Sequence, residues 1–394
     1  MKYCVNSKDL ESGDIFVCLP GGEKYINTAY KKGAVAVLFL TREELSFFAA
    51  ELYDHPSRKM TVVGVTGTNG KTTVTHLVGK VLEDEGHKPY VLGTINSELT
   101  TPESIDIQRL MSEHYRAGGT HFVLEVSSHA IAQGRVLGID FDIKALTNIT
   151  QDHLDYHKTL EEYKKTKLRF MSGGDKRIFP EDYEKEQIFF KTKLAGAFNI
   201  KNIKAAMAIL GFCGIGMEAM AKSLSKAVPP PGRFETIDEG QTFKVIVDYA
   251  HTPDGLSNVL STAKELLNDK QARLITVFGC GGDRDRLKRP KMGCIATSMS
   301  DYVIVTQDNP RTESQSQIID DVLEGISEDG AFEVINDRAK AIKIAINIAQ
   351  ENDIIMIAGK GHETYQIFGT ETIHFDDREE ARLAIRRRLD GCID

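Results

Sequence analysis

The stretch GVTGTNGKTT, from Gly64 to Thr73, combines glycines, a lysine and threonines in a pattern suited to binding phosphate groups. Glycines let backbone N–H groups approach phosphate oxygens, and a helix that follows adds positive potential at its N-terminus. Lys71 would neutralise the β- and γ-phosphates of a nucleotide, and Thr72 could hold Mg²⁺. The spacing departs by one from the general phosphate loop, because Val65 stands where its first glycine is expected. Alone, the stretch also fits a glycine turn between a strand and a helix.

Two further polar segments follow apolar runs, at the strand ends where open α/β sheets bind ligands. In EVSSHAIAQGR (125–135), Glu125 suits a metal, and its serine, glutamine and arginine suit an anionic substrate. TNITQDHLDYH (147–157) places two aspartates and two histidines within six residues, and such oxygen and imidazole groups suit Mg²⁺ or Mn²⁺. Alone, the first segment also fits a solvated loop with a helix cap. The second also fits a helix N-cap at Asp152 or Asp155.

Three glycine-containing or proline-containing loops recur in the C-terminal half. GCGGDRDRLKRP (279–290) is rich in arginine, which binds carboxylates in a bidentate manner, and DNPR (308–311) and AGKGHE (358–363) also follow expected strands. Taken singly, these segments fit a basic loop, a turn and a glycine loop equally well. Lys167, within EEYKKTKLRF, reads by itself as a surface lysine on a charged helix.

Short apolar runs alternate with helical patterns, which predicts α/β layers that would carry these segments. TVVGV before the phosphate loop predicts a buried strand, and the apolar spacing from Val74 to Leu82 predicts a helix that ends near Gly86. YDHPSRKM reads as a linker, and PPPG (229–232) is the clearest rigid break. We therefore expect domains at 1–58, 59–232 and 233–394.

Composition narrows the function classes. The net charge of −8 argues against nucleic acid as a partner, while a local basic pocket for a small anion remains compatible. No apolar run approaches the length that spans a bilayer, and the N-terminus lacks the apolar region of a signal peptide. The six cysteines show no CxxC pair, which is typical of reduced thiols. We expect a cytoplasmic protein without membrane insertion.

The motifs, taken in order, resemble the Mur ligases, and within them the MurE branch. The segments that carry the resemblance cover the chain from about residue 61 to residue 377 and are GVTGTNGKTT, LTTP, EVSSHAIAQGR, TNITQDHLDYH, GAFNIKN, PGRFE, DYAHTPDGL, VFGCGGDRDRLKRP, DNPRTE and AGKGHETYQ. The irregular loop spacing is that family's own version. The resemblance implies a three-domain α/β architecture with a short N-terminal domain for the uridine nucleotide, a central P-loop-type ATPase domain and a C-terminal Rossmann-like domain.

The resemblance also implies roles for individual residues. For ATP it implies Gly67, Thr68, Asn69, Gly70, Lys71, Thr72, Thr73, Asn199, Arg233, Asp248 and His251. For two Mg²⁺ ions it implies Thr72, Glu125, His153 and Lys167, the last as N6-carboxylysine, and Lys71, His153 and Lys167 would be catalytic. For the UDP-linked acceptor it implies Ser7, Thr100, Thr101, Ser127, Gln133 and Arg135. For the incoming amino acid it implies Arg284, Asp308, Asn309, Pro310, Arg311, Gly359 and Glu363.

The implied activity is an ATP-dependent ligation of meso-diaminopimelate to UDP-MurNAc-L-Ala-D-Glu, in peptidoglycan precursor synthesis, by a monomer that uses small-molecule substrates. In the family, DNPR accompanies diaminopimelate, because the arginine pairs with its distal carboxylate. The chain is shorter than typical members, in the N-terminal domain and in residues 171–193. Ser7 lies in NSK where the family usually has DSR. A Mur-type ligase for another acceptor or for L-lysine, and a non-catalytic nucleotide-binding homologue, are the alternatives.

Overall fold

Three parallel or mainly parallel sheets organise the protein in chain order. The computed structural model describes residues 2–174, 176–327 and 329–391. Within this part of the chain, the three main sheets contain three, five and six strands, and a hairpin forms a separate two-stranded sheet. Helices cover the sheets, so the architecture is the expected multi-domain α/β fold.

The N-terminal unit is a small parallel sheet in the order β1-β2-β3, with helices packed against it. Its elements are β1 (Tyr3–Cys4), β2 (Ile15–Cys18), α1 (Ile26–Lys31), β3 (Ala36–Phe39) and α2 (Arg42–Leu52), with 3₁₀ helices at Glu23–Tyr25 and Pro56–Lys59. Thr41 caps α2 through a reciprocal capping box with Glu44. The expected linker YDHPSRKM contains the second 3₁₀ helix, so it is more ordered than its composition indicated.

The central unit is a parallel sheet in the order β5-β6-β4-β7-β8. Its strands are β4 (Thr61–Thr66), β5 (Pro89–Leu92), β6 (His121–Glu125), β7 (Ile143–Leu146) and β8 (Lys176–Ile178). Its helices are α3 (Lys71–Asp84), α4 (Ser104–Arg116), α5 (Ser128–Ala132), α6 (Leu154–His157), α7 (Leu160–Met171), α8 (Pro180–Tyr183), α9 (Ala197–Phe212) and α10 (Met217–Leu224). One apolar core joins the sheet to α3, α9 and α10, and another joins it to α4, α5 and α7.

This strand order decides where ligands can bind. The chain leaves the central strand β4 on one side to form β5 and β6, and it later reaches β7 on the other side. The carboxyl ends of β6, β4 and β7 therefore lie side by side at a topological switch point, the usual ligand-binding edge of an open α/β sheet. The three polar segments of the central unit follow these three strands.

The C-terminal unit is a sheet in the order β13-β12-β11-β14-β10-β9, parallel except for β9. Its strands are β9 (Glu235–Ile237), β10 (Lys244–Asp248), β11 (Leu274–Phe278), β12 (Tyr302–Val305), β13 (Phe332–Val334) and β14 (Ile354–Ala358), and a hairpin adds β15 (Tyr365–Phe368) and β16 (Glu371–His374). Its helices are α11 (Pro253–Glu265), α12 (Lys288–Met299), α13 (Gln315–Leu323), α14 (Arg338–Ile348) and α15 (Asp377–Leu389). Apolar cores on both faces bury this sheet, as a doubly wound fold requires.

The first glycine of the quoted stretch has a packing role. Gly64 lies inside β4, and a Cβ at this position would come 2.6 Å from ring carbons of both Phe141 and Phe170. Those two rings pack edge to face, with centroids 5.1 Å apart. Gly64 therefore makes room for an aromatic pair beneath the sheet and does not belong to the loop that follows.

No helix among the described residues is long and apolar enough to cross a membrane.

We expect Gly64→Ala to lower the free energy of unfolding by about 1–3 kcal/mol, because the new methyl group overpacks the aromatic pair. The measurement is urea unfolding followed by circular dichroism. Gly211→Ala is the matched control, since Gly211 lies in α9 with open space around its Cα. Alanine there should leave stability unchanged or raise it slightly. Equal stability of the Gly64 variant and the parent would contradict the packing role.

Candidate active site

The loop from Gly67 to Gly70 connects the central strand β4 to α3 and carries two glycines at positive φ. A Cβ at Gly67 would clash with the Thr147 hydroxyl, and one at Gly70 would clash with the Asn202 side chain. The loop is anchored by Thr68, whose hydroxyl accepts from the backbone N–H of Thr150 at 3.0 Å. The backbone is thus held in a tight turn without side chains at its two glycines, which suits close approach of phosphate oxygens.

A buried oxygen pair lies beside the first turn of α3. The Thr72 hydroxyl donates to Glu125 Oε2 at 3.0 Å, and Thr94 donates to the same carboxylate through its backbone N–H at 2.9 Å and its hydroxyl at 3.1 Å. Glu125 is 1% exposed. A buried carboxylate and a hydroxyl next to a phosphate loop are the oxygen ligands that Mg²⁺ prefers.

Two lysines point at the same loop. Lys71 Nζ donates to the carbonyl oxygens of Gly67 and Thr68 at 2.8 and 3.0 Å, and Lys167 Nζ donates to Gly67 O at 2.8 Å. Lys167 is 1% exposed, lies over the Tyr163 ring and forms no salt bridge within the described residues. Burial and the nearby Lys71 charge hold the pKa of Lys167 well below its usual value. The reading of Lys167 as a surface lysine is therefore wrong, because α7 turns this position inward.

Asp152 is a buried carboxylate with basic side chains from two units around it. His153 Nε2 lies 3.2 Å from Asp152 Oδ2, and the C-terminal unit contributes His251 at 3.7 Å and Lys288 at 3.7 Å. Burial opposes ionisation, but Lys288 and the two histidines together hold the pKa of Asp152 well below its usual value. Burial lowers the pKa of His153 to about 3, so its imidazole is neutral at pH 7. Neither aspartate is the N-cap of α6, since His153 occupies that position.

Further contacts join the central and C-terminal units around the loop. Arg233 Nη2 donates to the Thr72 hydroxyl at 3.0 Å while its guanidinium lies over the Tyr249 ring. Asn69 donates to Asp254 at 2.8 Å. These bonds bring residues before β9 and after β10 to the phosphate loop. Asp248 accepts the backbone N–H groups of Phe234 and Ala250 at 2.6 and 2.7 Å, and burial raises its pKa to about 6.

The carboxyl ends of β12 and β14 form a second polar cluster. Asn309 Nδ2 donates to Glu363 Oε2 at 2.9 Å, and Lys360 Nζ lies 3.2 Å from the same oxygen. Arg311 has a positive φ and donates to Gly282 O at 2.8 Å. Gly359 packs against Asp308, where a Cβ would come 2.8 Å from the carboxylate. Arg284 is exposed and bonds locally to Asp283 O.

The residues predicted to bind the acceptor form a third group. Thr101 donates to Glu125 O at 2.7 Å and accepts the backbone N–H of Ser127 at 2.9 Å. Arg135 donates to Thr101 O at 2.8 Å and to Gln133 at 2.6 Å. The backbone that carries the candidate metal ligand is therefore tied directly to the candidate acceptor residues.

One cavity of about 690 Å³ brings the second and third groups together with Asp152 and His153. The residues on its wall that the sequence had singled out are Thr100, Thr101, Ser127, Arg135, His153, His251, Arg284, Asp308, Asn309, Arg311, Gly359 and Glu363. The wall does not include Ser7, which lies buried in the N-terminal unit, or Gln133, which reaches the cavity only through Arg135. Pro310 is buried and is not part of the wall.

Known proteins match this chain along most of its length. The model of the Mur ligase middle domain matches residues 65–184, and the model of the Mur ligase, glutamate ligase domain matches residues 232–361. The UDP-N-acetylmuramoyl-L-alanyl-D-glutamate--2,6-diaminopimelate ligase of Fusobacterium nucleatum is 41% identical, with 97% of this chain and 93% of that protein covered. The chain belongs to the Mur ligase family. The ligase of the same name from Geobacillus thermodenitrificans is 37% identical over 98% of this Mur ligase.

Solved structures agree with the assignment. A structure of a UDP-N-acetylmuramoyl-L-alanyl-D-glutamate--2,6-diaminopimelate ligase is 30% identical with a TM-score of 0.60, and it covers 98% of this chain. MurF from Thermotoga maritima, solved with ADP, has a TM-score of 0.69 at 16% identity and supports the fold alone. The alignment to the Fusobacterium relative spans 456 positions against 394 residues here, so at least 62 positions of that alignment have no residue in this chain.

Sequence reasoning missed several residues that shape this Mur ligase site. They are Thr94, Glu103, Lys288, Lys360 and Asn202. Lys288 and Lys360 lie within the segments GCGGDRDRLKRP and AGKGHE, which the sequence analysis includes. Their burial could not be predicted, because the sequence does not distinguish a buried lysine from an exposed one. Asn199 bonds to Asn202, which contacts Gly70, so the GAFNIKN segment reaches the phosphate loop through its last residue. Among the described residues, no group of three or more His, Cys, Asp or Glu side chains forms a metal site by itself.

The rigid PPPG segment ends against the amino-acid side of the cavity. Gly232 has a positive φ, and a Cβ there would clash with the backbone of Gly361 and His362. In return, a Cβ at Gly361 would come 2.6 Å from Gly232 O. In the connection between the central and C-terminal units, Gly232 therefore packs directly against Gly361, in the segment that carries Glu363.

We expect Lys288→Met to weaken the contact between the two units, because it leaves the buried Asp152 carboxylate without its cross-unit ammonium. The free energy of unfolding should fall by about 1–3 kcal/mol. The radius of gyration from small-angle X-ray scattering should also rise. Lys270→Met, an exposed lysine in the same unit, is the control and should change neither value. Unchanged scattering and stability would show that this ion pair does not hold the units together.

Proposed function

We propose that this Mur ligase uses ATP to join meso-diaminopimelate to the terminal carboxylate of UDP-MurNAc-L-Ala-D-Glu. The observation that carries the proposal is one cavity of about 690 Å³ whose wall combines Asp308, Asn309 and Arg311 of DNPR with His153 and the predicted acceptor residues Thr100, Thr101, Ser127 and Arg135. Relatives named for this reaction, at 36–41% identity over nearly the whole chain, support the choice of substrates. The domain boundaries at residues 58 and 232, the cytoplasmic location and the monomeric state stay predictions.

ATP would bind with its β- and γ-phosphates against the loop from Gly67 to Thr73. The glycines leave the backbone N–H groups accessible, Lys71 supplies positive charge, and Arg233 reaches the Thr72 hydroxyl from the C-terminal unit. His251 lies 3.7 Å from Asp152 at the same contact between units, and Asp248 accepts the backbone N–H of Phe234, next to Arg233. Asn199 supports the loop through Asn202. ATP binding would therefore join both units, which favours closure and keeps water from the reacting groups.

The structure fits a metal centre in two respects. Thr72 and Glu125 form a buried oxygen pair beside the phosphate loop, and Lys167 is a buried amine without a carboxylate partner among the described residues. Its lowered pKa favours the neutral amine, whose nitrogen can add to the carbon of CO₂ and lose a proton to give an anionic N6-carboxylysine. Mg²⁺ ions held by Thr72 and Glu125, and by His153 with the modified Lys167, would neutralise the phosphate oxygens.

The chemistry would proceed in two displacements. The terminal carboxylate of the acceptor, oriented by Thr101, Ser127 and Arg135, attacks the γ-phosphorus of ATP, and ADP leaves. The amino group of the second substrate then attacks the acyl carbon, loses a proton, and expels phosphate as the amide forms. Lys71 would offset the repulsion between the acceptor carboxylate and the phosphates in the first displacement.

The second substrate would lie between Arg311 and Glu363. Arg311, half-buried on the cavity wall, presents a guanidinium that attracts a distal carboxylate and repels the side-chain ammonium of lysine. Glu363 and Asp308 present negative charge to ammonium groups, and Arg284 adds a second cation at the cavity mouth. This charge pattern favours diaminopimelate over L-lysine.

The test supplies purified protein with ATP, Mg²⁺, UDP-MurNAc-L-Ala-D-Glu and one candidate amino acid at a time. We expect phosphate release to depend on meso-diaminopimelate, and Arg311→Ala to raise the KM for it by about tenfold or more. The KM for ATP should stay within about twofold of the parent value. Release that depends on L-lysine, or on an acceptor other than the muramoyl dipeptide, would refute the substrate assignment. No ATP turnover with any combination would favour a non-catalytic homologue.

For Lys167, we expect intact mass spectrometry under non-denaturing conditions to show an added CO₂ that disappears on acidification. We also expect ¹³C-bicarbonate to give a carbamate signal in NMR spectra of the parent. Lys167→Ala should lose the signal and most activity. Lys165→Ala, an exposed lysine of the same helix, should retain both. A fully active parent with unmodified Lys167 would contradict the proposed role.

A further inference from the structure

Lys360 is the fully buried lysine of the AGKGHE segment. It is 0% exposed and directly follows Gly359 at the carboxyl end of β14. Its Nζ donates to the Tyr365 carbonyl oxygen at 2.6 Å, to Glu363 Oε2 at 3.2 Å and to Asn309 Oδ1 at 3.3 Å. One ammonium group thus joins the loop after β12, the loop after β14 and the start of the β15–β16 hairpin.

This lysine acts from behind the cavity wall. Asn309 and Glu363 line the cavity, whereas Lys360 does not, so its charge would reach a ligand only through these two side chains. It also determines which oxygen of Glu363 can serve a ligand. Oε2 is bonded to Lys360 and Asn309, while Oε1 has the Tyr249 hydroxyl at the long distance of 3.5 Å. Oε1 is therefore the oxygen better placed to accept a ligand ammonium.

The buried position is costly and needs compensation. An ammonium taken out of water loses several kcal/mol of hydration, which only well-placed oxygens recover. An apolar side chain would fill the same space without that cost, so packing alone does not explain a lysine. Its charge does offset a local excess of negative charge. Burial raises the pKa of Glu363, the nearby Asp308 charge raises it further, and Lys360 lowers it.

We propose that Lys360 is a positioning residue for the incoming amino acid, which it serves by locking Asn309 and Glu363 in place and by offsetting the negative charge of Asp308 beside Glu363. The inference rests on the proposed function, since it assumes that Glu363 binds an ammonium group of the amino acid. Lys360 would act without touching the substrate, because it does not line the cavity.

Removal of the ammonium should change how binding depends on pH. Without Lys360, Glu363 should ionise at higher pH, because burial and Asp308 both oppose its charge. The KM for diaminopimelate in the variant should therefore improve, relative to the parent, as pH is raised from about 6.5 to 9. The other ionisable groups that face Glu363 are Asp308 and Arg338 from neighbouring elements, and Tyr249 and Tyr365.

The experiment compares Lys360→Met with the parent in the ligation assay. We expect the KM for meso-diaminopimelate to rise about tenfold or more, as loss of a charged hydrogen-bond partner predicts. The KM values for ATP and for the muramoyl dipeptide should stay within about twofold. Lys340→Met, an exposed lysine on α14, is the matched control and should leave all three KM values unchanged.

The outcomes separate this inference from the proposed function. A parent enzyme without diaminopimelate-dependent phosphate release would overturn the proposed function and this inference with it. A working parent whose Lys360 variant shows an unchanged KM for diaminopimelate, an equal rise in all three KM values, or no altered pH profile would overturn the inference alone. If Lys360→Met shows no cooperative thermal transition, Lys360→Gln, which retains an N–H donor without the charge, is judged by the same criteria.

Discussion

The site depends on the contacts of one buried carboxylate in the central unit with basic side chains of the C-terminal unit. Asp152 follows β7 in the central unit, yet two of the basic side chains that face it, His251 and Lys288, belong to the C-terminal unit. A carboxylate at 4% exposure is tolerated only where positive charge and hydrogen bonds replace water. The ionised form of Asp152 is thus stabilised by the approach of the two units, and the same approach closes the cavity between Thr101 and Arg135 on one side and Asn309 and Arg311 on the other. The contact between the two units therefore both stabilises the Asp152 charge and assembles the candidate active site.

The site uses buried lysines in two different ways. Lys167 lies under the phosphate loop with a carbonyl partner and another cation nearby, an arrangement that favours loss of its proton. Lys360 lies beneath the loops after β12 and β14, and a carboxylate, an amide oxygen and a carbonyl oxygen accept hydrogen bonds from its Nζ. The first environment suits chemical modification of the amine, and the second suits a permanent charge. The role of a buried lysine is therefore decided by the oxygens and charges nearest to its amine, and not by burial alone.

Much of the fold was predictable because buried parallel strands produce continuous apolar runs. The strand TVVGV and the helix after the phosphate loop follow from such a run, from helical spacing and from turn glycines. The short strands β1, β8, β9 and β13 were not predicted, since two or three residues carry too little pattern. In the candidate site, the order of the motifs identified the segments, but sequence spacing could not reveal the contacts between units. The roles of Asp152 and Lys288 depend on residues more than a hundred positions apart.

The connection at Gly232 has a consequence for how the protein can be divided. Because Gly232 and Gly361 each occupy the space that a side chain of the other would need, the linker is part of the C-terminal unit's packing as well as its tether. A chimera that exchanges the C-terminal unit between relatives should therefore place its junction before Pro229. A junction placed after Gly232 would separate two backbones that fit only as a pair. The close contact between Gly232 and Gly361 therefore decides where the chain can be joined. That point lies several residues before β9, the first strand of the C-terminal unit.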